Sequence, residues 1–364
     1  MIVVYGASGT IGLRIVADLL EHGADVRLVG RDRPQLIAAA DQVGLLPADV
    51  AVAPVHDAAA LARAFADATC VIGAAGPYTA IGAAVAAAAL AADAHYLDLA
   101  VEPGFVRALY EEHESAARRR GRCMISGVGA LGALGDWAAD WAASRVSDAA
   151  GDGDHGPLTA IEIGYAFDGA RFATGMGRSL VAALTGPGLA WRRGRWDPIA
   201  ATARGQTLDF GELGWRRARP LGTVEAVTVP RKWAVDRVDT FVAPTGAPWL
   251  DRAIGAAAPL LRWLPSAAAT ALALVDPGRA PADAEHADVR FAVTATARRD
   301  AATATVTVTG SDVYATTAAL ASRLARALAT GALDAAGVIT PSQLVAGERA
   351  LGATAELTIT HRGP

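Results

Sequence analysis

Four side chains of this chain could handle a proton beside a ligand: Tyr78, Asp98, Glu102 and Asp136. A positioned phenol or carboxyl can donate to a developing carbanion or anchor a polar substrate. The four form no nucleophile triad, and each carboxylate has an alternative use as a helix cap or a hydrogen-bond anchor. Tyr78 or Asp98 is the expected donor. Arg171 and Arg178 lie in the glycine-rich stretch from Asp168 to Ser179, just before an apolar run, and two planar forks there could grip a substrate anion. A charged surface loop is the alternative reading. The seven histidines have no ligand spacing, and Cys70 and Cys123 sit in apolar runs, so neither a metal site nor a disulfide framework is expected.

The elements that must position these groups begin at the N-terminus. The buried run Ile2-Val3-Val4-Tyr5 leads into Gly6-Ala7-Ser8-Gly9-Thr10-Ile11-Gly12, and a helix with Ile15, Val16, Leu19 and Leu20 on one side follows at once. This strand, loop and helix can hold a dinucleotide pyrophosphate, since the glycines permit the turn and the close approach while the helix start faces the anion. A second strand, Asp25 to Gly30, ends where an NAD site would place an acid. Gly30 and then Arg31 stand there instead, which favours the 2′-phosphate of NADP(H). Asp32 keeps NAD open, and Arg31 with Arg33 could be a solvated pair. Strand and helix then alternate through Asp49 to Val55, Ala58 to Ala66 and Cys70 to Gly73, and the loop from Gly73 to Tyr78 should meet the cofactor with Gly76 and Pro77. Helix Ile81 to Ala92, strand His95 to Ala100, a helix ending in Arg118-Arg119-Arg120 and strand Cys123 to Ser126 complete a doubly wound parallel sheet.

The fold class is therefore α/β, with an N-terminal Rossmann sheet over 1–128, a second α+β domain with a mixed or antiparallel sheet over 129–335, and a C-terminal segment over 336–364 that packs back toward the first. In the second half, Trp137 to Val146 reads as a helix, with Trp137 and Trp141 on one face. Leu158 to Phe167, Gly222 to Val229 and Val238 to Val242 read as strands. Trp191-Arg192-Arg193-Gly194-Arg195-Trp196 reads as a hairpin, and the alternating runs 289–297 and 303–309 as another, followed by a helix over Asp312 to Ala329.

A chain of 364 residues that is 52% hydrophobic and 19% charged has ample core, and a net charge of −4 argues against a nucleic-acid partner. The apolar run 254–275 is interrupted by Arg262 and Pro265, so a broken or amphipathic helix is expected there, with lipid contact as the alternative. With no leader-like start, the chain reads as cytoplasmic. A small-molecule substrate is the expected partner, and a homodimer stays open.

Gly-Ala-Ser-Gly-Thr-Ile-Gly (6–12), Ala-Ala-Gly-Pro-Tyr (74–78), His-Tyr-Leu-Asp-Leu-Ala-Val-Glu-Pro (95–103) and, more loosely, Val-Thr-Gly-Ser-Asp-Val-Tyr (308–314) resemble the saccharopine dehydrogenase-like oxidoreductases, a family that includes saccharopine reductases and bacterial trans-acting enoyl reductases. The resemblance implies that Gly6, Ser8, Gly9, Thr10, Ile11, Arg31, Gly76, Pro77 and Tyr78 line NADP(H), and that Asp98 and Glu102 face a substrate in an interdomain cleft. It further implies reduction of a C=N or C=C bond. Ala100-Val101 departs from the Thr-Gly of many members, and the loop Gly129 to Asp136 is less polar than theirs. A non-catalytic NADP(H)-binding scaffold or regulator is the competing reading.

Overall fold

The computed structural model describes residues 1–150, 156–168, 188–199, 203–243, 289–354 and 356–363. Arg171, Arg178 and the apolar run 254–275 lie outside them. The chain divides into two compact units: Met1–Ala100, Phe105–Ala130 and Tyr314–Ile339 make the first, and Val101–Gly104, Leu131–Val313 and Thr340–Pro364 the second.

The first unit opens with β1 (Ile2–Tyr5), α1 (Thr10–Glu21), β2 (Val26–Gly30), α2 (Arg33–Gln42) and β3 (Val50–Val52). It continues through α3 (Ala58–Phe65), β4 (Cys70–Gly73), α4 (Tyr78–Ala91), β5 (His95–Asp98), α5 (Pro103–Arg120) and β6 (Cys123–Ile125). A late strand, β15 (Gly337–Ile339), joins the same sheet, in the order β15-β6-β5-β4-β1-β2-β3 with every pair parallel. The strand order reverses beside β1, which is where such sheets bind ligands. Strands β1 and β4 are buried along their whole length, as a sheet covered on both faces requires. Helix α1 buries Gly12, Ile15, Val16 and Leu19, one stripe at helical spacing. Asp32 caps α2 by accepting the Gln35 amide at 3.0 Å, and Asp57 caps α3 through the Ala60 amide at 2.9 Å.

The second unit contains α6 (Ala133–Ala150), β7 (Ala160–Asp168), the hairpin β8 (Leu189–Arg192) and β9 (Arg195–Pro198), β10 (Gln206–Asp209) and β11 (Trp215–Pro220). It also holds α7 (Glu225–Lys232), β12 (Arg237–Val242), the hairpin β13 (Arg290–Arg299) and β14 (Ala302–Ser311), α9 (Pro341–Leu344), α10 (Gly347–Gly352) and β16 (Thr358–Arg362). Its mixed sheet runs β10-β11-β12-β7-β13-β14-β16, with β8 and β9 branching from β12. The β12–β7 pair is parallel and the others antiparallel.

Three departures from the sequence pattern have physical causes. The run Gly222 to Val229, whose valines and threonine suggest a strand, instead forms α7: Glu225 lies in its first turn, Arg231 and Lys232 in its last, and all three complement the helix dipole. Helix α4 starts at Tyr78, so that residue opens a helix instead of ending a loop. The helix α8 (Val313–Ala329) falls almost wholly in the first unit, although boundaries at 128 and 335 assign it to the second. Its Thr317 hydroxyl accepts the Ala130 amide at 3.0 Å, and the Arg14 guanidinium stands 5.9 Å over the Tyr314 ring.

Candidate functional site

The glycine loop is shaped by contacts that only glycine permits. Gly6 has φ +88°, and a Cβ there would stand 2.7 Å from Ala75 Cβ and 2.9 Å from the Ala75 nitrogen. The β1–α1 loop therefore lies directly against the loop after β4, the two being joined also by the Ala74 amide donating to the Tyr5 carbonyl at 2.8 Å. At Gly12 a Cβ would overlap the Gly6 carbonyl oxygen, so the helix can approach the turn only without one. No side chain caps α1 at Gly9, which leaves the positive end of the helix available to an anion. Ser8, Thr10 and Ile11 are half-buried and Gly9 is exposed.

Arg31 follows the last residue of β2 and is exposed. Burial raises the Tyr5 phenol at the end of β1, and the Arg31 charge pulls it partly back. The Asp32 carboxylate is engaged by its own helix start. An uncapped helix start, a cradle that a Cβ would fill and a flanking arginine fit a dinucleotide carrying a 2′-phosphate.

The loop after β4 carries exposed Gly76 and half-buried Pro77, joined by a cis peptide bond. Tyr78 is only 4% exposed. Its hydroxyl donates to the Gly73 carbonyl at 2.8 Å and accepts the Leu99 amide at 3.3 Å, and its ring packs on Phe105 at 5.8 Å between centroids. Tyr78 thus joins the carboxyl ends of β4 and β5.

Asp98 ends β5 and is fully buried. Its Oδ1 accepts the Ala100 amide at 2.9 Å, the Gly127 amide at 3.1 Å and the Ser126 hydroxyl at 2.6 Å, tying the end of β5 to the end of β6. Its Oδ2 and the Tyr96 hydroxyl are buried without an aligned hydrogen-bond partner, and the phenol is near enough to act on the carboxyl electrostatically. Burial raises Asp98 to about 6 against the pull of these donors, and it raises Tyr96 further above its ordinary range. The site thus unites the glycine loop, the Gly76–Tyr78 loop and Asp98 on one edge of one sheet. Tyr96 and Ser126 complete it. Only the alternation of buried strand residues could have pointed to them.

Glu102 is 3% exposed, accepts the Val101 amide at 2.9 Å and clusters with the second unit. Asp136 also belongs there: its Oδ2 accepts the Ser342 amide at 2.8 Å, its Oδ1 has no aligned hydrogen-bond partner among the described residues, and burial raises it. One turn later Asp140 accepts the Gly347 amide at 2.8 Å and pairs with Lys232 at 2.7 Å, so two carboxylates of α6 hold the starts of α9 and α10. Beside them lies a group that motif reading cannot find. The Tyr165 hydroxyl accepts the Gly132 amide at 3.1 Å and donates to Glu225, which also accepts the Thr223 hydroxyl. Among the described residues, no cluster of histidine, cysteine, aspartate and glutamate could hold a metal, and no helix is long and apolar enough to cross a membrane.

Residues 2–126 match the family described as the saccharopine dehydrogenase NADP binding domain, so the first unit carries an NADP-binding domain of that kind. No curated protein sequence matches the chain. Among solved structures, saccharopine dehydrogenase (L-Glu forming) from Saccharomyces cerevisiae aligns over 100% of this chain and 99% of its own, at 15% identity and a TM-score of 0.65, which shows a shared fold. An amine dehydrogenase from Mycobacterium smegmatis aligns over 94% and 95%, at 13% identity and a TM-score of 0.47.

Proposed function

From a chain whose first unit is built around a saccharopine dehydrogenase NADP-binding domain, we propose an NADPH-dependent oxidoreductase that reduces a C=N or C=C bond of a small organic substrate. The observation that carries this reading is the uncapped start of α1 behind the Gly6 to Gly12 loop, with Arg31 at its flank. When bound, the cofactor supplies a hydride. The residues of the chain do the rest. Thr10 and Ile11 would present backbone amides and the helix dipole to the pyrophosphate, with Ser8 and Gly9, whose own amide donates to the Gly6 carbonyl at 3.0 Å, beside them, and Arg31 would pair with the 2′-phosphate. Gly76 and Pro77 would line the cofactor from the loop after β4. Tyr78 fixes that loop through Gly73 and Leu99, and Asp98 fixes the next one through Ala100 and Gly127.

Asp98 is also the proposed proton holder, because burial keeps part of its population protonated at neutral pH and Oδ2 is free of backbone donors. An iminium carbon accepts hydride and becomes an amine directly, whereas an enoyl substrate also needs a proton at its α-carbon. Glu102, Arg171 and Arg178 are the proposed substrate contacts. A non-catalytic NADP(H)-binding role is the second reading, favoured by the burial of both Tyr78 and Asp98.

A thermal shift with NADPH and NADH, on the wild type and on Arg31→Ala, tests the binding half. Ligand at about 100 times its Kd stabilises by roughly 2.7 kcal/mol. The expected result is a larger shift with NADPH, diminished in the variant. NADPH oxidation with imines and enoyl thioesters tests the chemistry, and binding without turnover on either class favours the second reading.

A further inference from the structure

Two hairpins of the second unit combine tryptophan with arginine, and they differ in whether the tryptophans are held by their own fold. In β8–β9 the Trp191 indole donates to the Val235 carbonyl at 2.8 Å and the Trp196 indole to the Ala226 carbonyl at 3.0 Å, with the rings edge to face. Arg192 pairs with Asp239, and Arg195 with Asp197 at 3.1 Å. Both tryptophans and these two arginines are thus engaged within the fold, and Arg193 in the turn is exposed.

In β10–β11 the pattern is reversed. Trp215 is 70% exposed, and Arg217 and Arg219 are exposed, with no side-chain ion pair or hydrogen bond among the described residues. Elsewhere in this sheet Arg237, Arg290, Arg298 and Arg362 each hold a carboxylate. Arg216, on the opposite face of β11, reaches the Phe167 carbonyl at 3.0 Å and Asp168 at 3.8 Å. Strand alternation puts Trp215, Arg217 and Arg219 on one face, with Thr207 of β10 opposite Arg217. The other face, through Leu208 and Ala218, closes a core with Phe210 and Phe241.

This outer face has a period of about 6.8 Å, two residues of a strand. An extended polypeptide has the same repeat. Among the described residues β10 pairs on one side only, which leaves it the end of the sheet. We infer that β10–β11 docks an extended acidic peptide, which adds to β10 as a further strand, sets alternate carboxylates against Arg217 and Arg219, and lays an apolar side chain on Trp215. The added strand would lie about 10 Å from β11, a span that an extended arginine and a glutamate close between them.

The test uses the full-length protein and a fluorescent, end-blocked peptide of alternating glutamate and valine, followed by anisotropy at low salt. The expected result is saturable binding that weakens with salt, falls roughly tenfold or more in Arg217→Glu/Arg219→Glu, and falls again when peptide amides facing β10 are N-methylated. Trp215→Ala should weaken binding with the salt dependence retained. These exposed substitutions should leave circular dichroism and the melting temperature unchanged. No saturable binding, equal binding by the charge-reversed variant, or indifference to N-methylation would each overturn the inference. So would a preference for phosphatidylserine vesicles or an oligonucleotide over the peptide, since either result makes the patch a generic anion surface.

Discussion

Asp98 and Glu225 are both fully buried carboxyls, one in each unit, and burial raises both, Asp98 to about 6 and Glu225 to about 7. What holds them differs. Asp98 accepts two backbone amides and a hydroxyl at the meeting of two strand ends, whereas Glu225 accepts the hydroxyls of Tyr165 and Thr223 and lies close enough to Asp136 to be raised further by its charge. Amides cannot turn round to accept a proton; hydroxyls can. The first acid is therefore locked into one hydrogen-bond pattern, and the second can exchange patterns with its neighbours when it gains or loses a proton.

The largest effect is expected from Asp98→Ala, which strands the Ala100 and Gly127 amides and the Ser126 hydroxyl. A loss on the order of 3 to 5 kcal/mol should appear in urea unfolding. A loss below about 1 kcal/mol would mean that water replaces the carboxyl and that the lock is not real.

Next comes pH. An acid whose folded-state value lies above its unfolded value contributes stability that is complete below the unfolded value and is lost as pH rises through the folded one. The windows run from 3.8 to about 6 for Asp98 and from 4.5 to about 7 for Glu225. Raising the pH from about 5 to about 8 should therefore lower unfolding free energy, with a contribution on the order of 2 to 3 kcal/mol from Glu225. Glu225→Gln should flatten that slope and make the variant more stable than wild type at the alkaline end. A slope identical to wild type would remove Glu225 from the comparison.

Gly135→Ala sharpens it sterically, because a Cβ there would overlap the Tyr165 hydroxyl and a Glu225 oxygen. The expected cost is about 1 to 3 kcal/mol, against little or a slight gain for Gly104→Ala, where a Cβ meets nothing within 4 Å. Smallest is Tyr78→Phe, at about 1 kcal/mol, since the ring and its packing on Phe105 remain. If Tyr78→Phe lowers turnover with stability and NADPH affinity intact, the hydroxyl takes part in the chemistry as well as holding β4 to β5.

The same contrast explains what the sequence could disclose. Gly6, Gly9 and Gly12 are legible because their chemistry is local: strand, turn and helix follow one another within a dozen residues. The alternating runs of β13 and β14 are legible for the same reason. Tyr165 and Glu225 are 60 residues apart, and their meeting depends on where β7 and α7 pack, which no periodicity encodes. Tyr78 and Asp98 stand out by position, yet their burial and their ties to Gly73, Leu99 and Gly127 are tertiary facts. The run from Gly222 to Val229 misleads because its β-branched residues suit a strand in isolation, while the charges at its ends suit a helix.

Strand β15 and helix α8 have a consequence for synthesis. The nucleotide-binding unit needs residues 314–339, so the ribosome has made most of the second unit before the first can be finished. Until then the edge of β6 is open, and Ala130 lacks the hydroxyl of Thr317. A nascent chain halted after residue 130 would carry every glycine of the cofactor loop and still present an unpaired, apolar strand to its surroundings, a state that invites chaperones or aggregation. Folding of the two units is thus coupled by the order in which they are made: the site encoded first is completed nearly last.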